Sequence, residues 1–129
     1  MDEEESNGET NEGGGLKKLQ CLGIMKLPKL VTLPQWLIKG AADALKQIKV
    51  VGCINFTALP EGLTSLQKLE IIMCPQLTHL PKGMEHLCAL AEIQIIDCPA
   101  LANRCLKGTG EDWHKIAHVR NIHLNDIFL

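Results

Sequence analysis

Tyrosine is absent from this 129-residue sequence, and phenylalanine and tryptophan occur only twice each. So few rings cannot tile a stacking platform for single-stranded nucleic acid, and any interior must be filled by aliphatic side chains. No apolar run approaches the roughly 18 residues of a membrane-spanning helix, which argues against a membrane partner. The N-terminus lacks the basic start and hydrophobic stretch of a secretory signal, so a soluble, cytoplasmic protein is expected. Catalytic signatures are missing too. There is no G-x-x-x-x-G-K-[ST] loop, no G-x-S-x-G elbow and no H-E-x-x-H, and the KGTG at Lys107 to Gly110 is too short to count. Nothing beside Cys88 or Cys105 would lower a thiol pKa or form an oxyanion hole. The expectation is a protein that is not an enzyme and needs no cofactor.

Charge is distributed unevenly. Met1 to Gly15, MDEEESNGETNEGGG, holds six of the fifteen acids and no base, which leaves nine acids against thirteen bases in the remainder. The whole chain carries −2 and the part after Gly15 carries +4. An acidic, glycine-rich stretch with so little to bury cannot offset its ordering entropy, so 1–15 reads as a disordered acidic segment.

What is abundant is leucine-type spacing. In LEIIMCPQLTHLP, Leu69 to Pro81, apolar residues or cysteine recur at steps of two and then three. Alternation over Leu69 to Ile71 reads as a strand, but the steps through Cys74, Leu77 and Leu80 leave the strand period behind. A short strand that turns at Cys74-Pro75 and runs back over its own inner side chains would point every one of these residues into one interior. The pattern recurs. Leu66, Leu69, Ile71, Cys74, Leu77, Leu80 and Pro81 match Leu19, Leu22, Ile24, Leu27, Leu30, Leu33 and Pro34, and also Leu45, Ile48, Val50, Cys53, Phe56, Leu59 and Pro60. A fourth copy, Leu90, Ile93, Ile95, Cys98 and Leu101, ends where Arg104 and Cys105 stand in place of Leu-Pro, and Val119, Ile122 and Leu124 supply only a strand. The starts lie 26, 21, 24 and 29 residues apart, in or near the range of leucine-rich repeats. The expected fold is an α/β leucine-rich-repeat solenoid of about four coils plus a terminal strand. Its short parallel sheet lies on the concave face, with irregular or short helical segments on the convex side.

The outward strand positions then form three columns. Cys21, Gln47, Lys68, Glu92 and Asn121 make the first, and Gly23, Lys49, Glu70, Gln94 and His123 the second. The third, Met25, Val51, Ile72, Ile96 and Asn125, is apolar at four of its five positions. An aligned apolar row on a concave sheet is a candidate contact strip, unless a loop folds over it. The partner-binding set is Lys49, Val51, Glu70, Ile72, Gln94, Ile96 and His123.

Six cysteines invite a disulfide or metal reading. Cys53, Cys74 and Cys98 share one repeat position, where a small polarizable side chain is buried at the turn out of the strand. Stacked strands lie about 4.8 Å apart, more than the roughly 3.8 Å Cβ separation of a disulfide, so reduced thiols are expected. Cys98, Cys105, His114 and His118 have the spacing C-x6-C-x8-H-x3-H. C-x6-C is wider than zinc sites use, and Cys98 already serves the turn, so no metal is expected. The preferred alternative is a helix, opened by a capping box at Thr109 to Asp112, that docks Trp113 and Ile116 while His114 and His118 lean toward solvent.

LPKLVTLPQWL, LEIIMCPQLTHLPKGMEHL and above all CPALANRCLKGTGEDWHKIAHVRNIHL resemble the last repeats of plant coiled-coil nucleotide-binding leucine-rich-repeat disease-resistance proteins. The tail elements are Cys98 to Leu101, Arg104-Cys105, Lys107 to Gly110, Asp112 to His118 and Val119 to Leu124. The likeness spans about Leu16 to Asn125, without the family's coiled coil or nucleotide-binding domain. It implies intracellular immunity: recognition of pathogen effectors and restraint of a nucleotide-binding domain. Implied partners are proteins, namely its own or a separate nucleotide-binding domain, an effector or a guarded host protein. The division expected is 1–15 disordered, 16–105 repeats and 106–129 a C-terminal cap, with a helix near 110–118 and a final strand near 119–125. A first coil without a polar cap reads as a severed end that self-associates. A stand-alone intracellular scaffold or adaptor is the alternative.

Overall fold

In the computed structural model, residues 18–125 and 127–128 are described. The acidic 1–15 segment lies outside them. Five strands run parallel and in chain order: β1 Cys21–Met25, β2 Gln47–Val51, β3 Lys68–Ile72, β4 Glu92–Ile96 and β5 Asn121–Leu124. A two-residue strand, β6 Ile127–Phe128, adds antiparallel to β5. The architecture is α/β, with few and short helices. Among the described residues no helix is long and apolar enough to cross a membrane.

Spacing along the sequence decides what joins the strands. The 26-residue interval from Leu19 to Leu45 has room for α1, Gln35–Ala41, whose Leu37 and Ala41 lie one turn apart and are buried. The 21-residue interval that follows holds no helix, and the 24-residue one holds a single 3-10 turn, Met84–His86. The last and longest holds α2, Pro99–Arg104, and α3, Trp113–Ile116. Pro99 suits the first turn of α2, where its missing N–H is not needed.

Register aligns like with like. Ile48, Leu69, Ile93 and Ile122 are paired in one row, and Val50, Ile71, Ile95 and Leu124 in the next, all buried. The turn residues add Phe56, Leu77 and Leu101, each 0% exposed. Each such side chain contributes about 1.5–3 kcal/mol when fully buried, and each is covered by its counterparts in the adjacent strand units.

Two devices recur at every unit. Where β2 to β5 begin, one N–H reaches the preceding unit: Lys46 to the Gln20 carbonyl, Gln67 to Lys46, Ala91 to Gln67 and Asn121 to Ala91, at 2.7–3.0 Å. After each of the five parallel strands comes one left-handed residue: Lys26, Gly52, Met73, Asp97 and Asn125, with φ of 53° to 69°. The N–H groups of the first three donate to Val51, Ile72 and Ile96 at 2.8 Å, carrying the ladder one step past the strand. At Asp97 the Asn125 side chain takes over as acceptor, Oδ1 lying 2.9 Å from the Asp97 nitrogen. Gly adopts this conformation without steric cost and Asn or Asp with little, whereas Lys and Met bear strain there.

The cysteines stack at the turn. The Cys74 thiol points at the Ile72 carbonyl (3.5 Å) and Cys98 at Ile96 (3.4 Å), and the Cys74 N–H donates to the Cys98 sulfur at 3.3 Å. Burial raises the Cys98 thiol to about 11 and the Cys105 thiol to about 12. In the last unit the inward place falls to Cys105, 0% exposed, while the half-buried Arg104 reaches the Asp112 carboxylate. Because α2 is helical there, the inward position slips one residue from the Arg104 expected by spacing.

The C-terminal segment is fastened by a polar clamp. Asp112, only 1% exposed, accepts from the Leu80 N–H at 2.8 Å and from Arg104 at 3.2 and 3.0 Å, and pairs with the Lys115 ammonium at 3.1 Å. Lys115 also donates to the Leu80 carbonyl at 2.8 Å. Burial alone would raise the Asp112 carboxyl, but hydrogen bonds from Arg104, the Leu80 N–H and Lys115 bring it down to about 2. Asp112 therefore serves as an anchor, and its side chain makes no cap bond to α3. The helix itself is shorter than the 110–118 expected. Gly110 admits no side chain, since a Cβ there would lie 2.2 Å from the Arg104 carbonyl oxygen.

Candidate interaction surface

Strand alternation turns Ile48, Leu69 and Ile93 inward and leaves their neighbours outward. The pairing builds the three expected columns. Gln47, Lys68, Glu92 and Asn121 are in register, as are Gly23, Lys49, Glu70, Gln94 and His123, and Met25, Val51, Ile72 and Ile96. In the first column Lys68 and Glu92 form an ion pair at 3.8 Å. At that length, with both side chains over a third exposed, it orders the face more than it stabilises the fold.

Exposure separates the members of the partner-binding set. Lys49 is exposed, and Glu70, Ile72, Gln94, Ile96 and His123 are half-buried. Val51 is 8% exposed, so it supports the row from beneath instead of offering contact area. The row's most open apolar member is Met25 at 60%. Outward apolar surface continues past the strand ends through Ile54 (53%) and Met73 (44%). Both lie beyond the third column, outside the alternation that marks the strand positions. The signal for Ile54 was there: Pro28, Ile54, Pro75 and Pro99 all sit three residues after that column.

The residues considered as metal ligands do not converge. Cys98 and Cys105 lie in the core with raised thiol pKa values, His114 is exposed, and the His118 Nε2 lies 3.1 Å from the Leu87 carbonyl oxygen. Among the described residues no three His, Cys, Asp or Glu gather as a metal site. Trp113 is half-buried and Ile116 fully buried, as the docked helix requires.

No family model matches the chain, and no solved structure matches it. Short segments match curated plant proteins. Disease resistance protein RGA2 of Solanum bulbocastanum is 58% identical over 26 residues, which is 20% of this chain and 3% of that protein. Putative disease resistance protein RGA4 of the same species is 54% identical over 28 residues, 22% of this chain and 3% of that protein. The chain thus covers a small fraction of the length of these relatives, and its likeness to plant disease-resistance proteins is partial.

Proposed function

We propose that this chain is a leucine-rich-repeat solenoid forming part of the protein-recognition surface of a plant intracellular immune receptor. The observation that carries the reading is the register: inward rows of leucine and isoleucine stack on one another while outward rows of unlike chemistry line one face. Such a face is addressed strand by strand, which suits binding to another protein and requires no catalytic group or cofactor. The short segments shared with Solanum disease-resistance proteins support the immune setting. Recognition of an effector and restraint of a nucleotide-binding domain are the two roles that such a surface serves, and Lys49, Glu70, Ile72, Gln94 and Ile96 are the residues that would make contact.

The test is association of this chain with the nucleotide-binding domain of a plant disease-resistance protein, or with a pathogen effector, before and after the combined change Lys49→Glu, Glu70→Lys and Ile72→Ser. Binding weakened by roughly tenfold or more, with the circular dichroism spectrum unaltered, is expected, since two charges are inverted and one apolar contact is removed. Undiminished binding by the triple variant would move the contact surface elsewhere.

A further inference from the structure

The parallel strands all end at one edge, and the residues just beyond them form a second surface with its own charge order. Met25, Ile54 and Met73 are exposed there, Pro75 also faces solvent, and Ile72 and Ile96 are half-buried behind them. Methionine lets the ridge adapt to a partner, and proline keeps its backbone stiff. Its middle is uncharged, since neither 51–58 nor 72–78 contains an acidic or basic residue. Its ends carry opposite signs. Lys26 and Lys29 are exposed at the β1 end, and Asp97 is exposed at the β4 end.

We infer that this ridge docks an amphipathic α-helix of a partner protein, laid across the strand ends with its acidic first turn at Lys26 and Lys29 and its basic last turn at Asp97. The inference rests on the recognition reading above and specifies its partner. Strands step by about 4.8 Å and an α-helix by about 5.4 Å per turn, so one turn meets each unit. From β1 to β4 the ridge spans three steps, roughly 14 Å, which is about ten residues of helix. An apolar stripe at i, i+3, i+4 and i+7 would lie over Met25, Ile54, Met73 and Ile96. Acids at the N-terminus and bases at the C-terminus are also what a helix's own dipole favours, so a helix that is stable in itself can meet both ends of the ridge.

Two stapled helical peptides of about fourteen residues test this. They share a leucine stripe; one carries Glu in its first turn and Lys in its last, and the other carries Gln at all of these positions. Fluorescence anisotropy should show the first binding roughly tenfold more tightly. Lys26→Gln with Lys29→Gln should abolish most of that preference. Ile54→Ser with Met73→Ser, both at exposed positions, should weaken the first peptide by roughly tenfold or more. Equal binding of both peptides, no binding, or binding indifferent to the serine pair would overturn the inference. So would a dimer of this chain that buries the ridge, seen by sedimentation and broken by the serine pair. Amide shifts separate the two readings: perturbation at Ile54 and Met73 is expected, and perturbation confined to Lys49, Glu70 and Gln94 would overturn the ridge while leaving the concave face.

Discussion

The first strand unit and the last described ones solve the same problem differently. Around β1, Leu19, Leu22, Ile24 and Leu30 are only partly buried, and Leu27 is 48% exposed. Their counterparts in β3 and its turn, Leu66, Leu69, Ile71, Cys74 and Leu77, are all at 3% or less. The residue types hardly differ, so the contrast comes from neighbours: among the described residues β1 has one strand partner and β3 has two. At the other end, β5 is followed by β6, and the segment before β5 is tied down by the Asp112 clamp. Burial in this fold is thus a property of adjacent units, and a polar anchor can complete it where the leucine pattern stops.

The sharpest way to break the comparison is to make the same cavity twice in one row. Ile24 and Ile71 occupy equivalent positions in register, separated by Val50. Ile71→Ala should cost about 4 kcal/mol, toward the upper end for a fully enclosed site. Ile24→Ala should cost about 1 kcal/mol, because a half-buried side chain leaves a void that water or neighbours fill. Urea unfolding followed by circular dichroism reads both. Equal losses would mean that the β1 unit is covered as well as the centre.

The clamp gives the next effect. Asp112→Asn leaves Arg104 and Lys115 without their carboxylate and should cost about 3 kcal/mol, the low end for a broken buried pair because a third of Arg104 is exposed. Amide exchange should quicken most at Leu80 and in 104–119. The same carboxylate sets an acid limit. Its folded value of about 2 lies below the ordinary 3.8, so its contribution is complete above about pH 4 and is lost as pH falls toward 2. That amounts to about 2 kcal/mol, and the Asn variant should lose this part of the acid dependence.

Much of this is legible in the sequence, for a physical reason. Strand register is written in repeated offsets, so the columns through Lys49, Glu70, Gln94 and His123 follow from counting alone. The stacked Cys53, Cys74 and Cys98 followed in the same way. What counting cannot see is contact across distant sequence. Asp112 resembled a helix-capping residue because Thr109 to Asp112 fits a local motif, yet its acceptor oxygens are taken by Leu80, 32 residues away, and by Arg104. Val51 was grouped with exposed residues by its position, but the neighbours that bury it are set by packing. The slip from Arg104 to Cys105 depended on α2 being helical, which the three-residue steps did not state.

The smallest effect probes the left-handed residue that closes every strand. Gly52 and Met73 sit at equivalent positions with φ of 69° and 54°, and both donate to the next strand's last carbonyl at 2.8 Å. If the backbone bond demands this conformation, the side chain is the only thing that differs between the sites. Gly52→Ala should then cost about 1–2 kcal/mol, the steric penalty of a left-handed residue with a Cβ, and the added atom would also meet the Lys26 Cγ at 3.3 Å. Met73→Gly removes the same penalty, offset in part by the greater freedom of glycine in the unfolded chain, for a net gain of about 0.5 kcal/mol. Opposite signs at two aligned sites are the expected outcome in thermal unfolding. Lys26, at φ 53° beside β1, sharpens the contrast: Lys26→Gly should stabilise less than Met73→Gly, because local opening of the β1 unit already relieves its strain. A loss of stability from Met73→Gly would show instead that the exposed methionine packs on the ridge strongly enough to outweigh its own backbone strain.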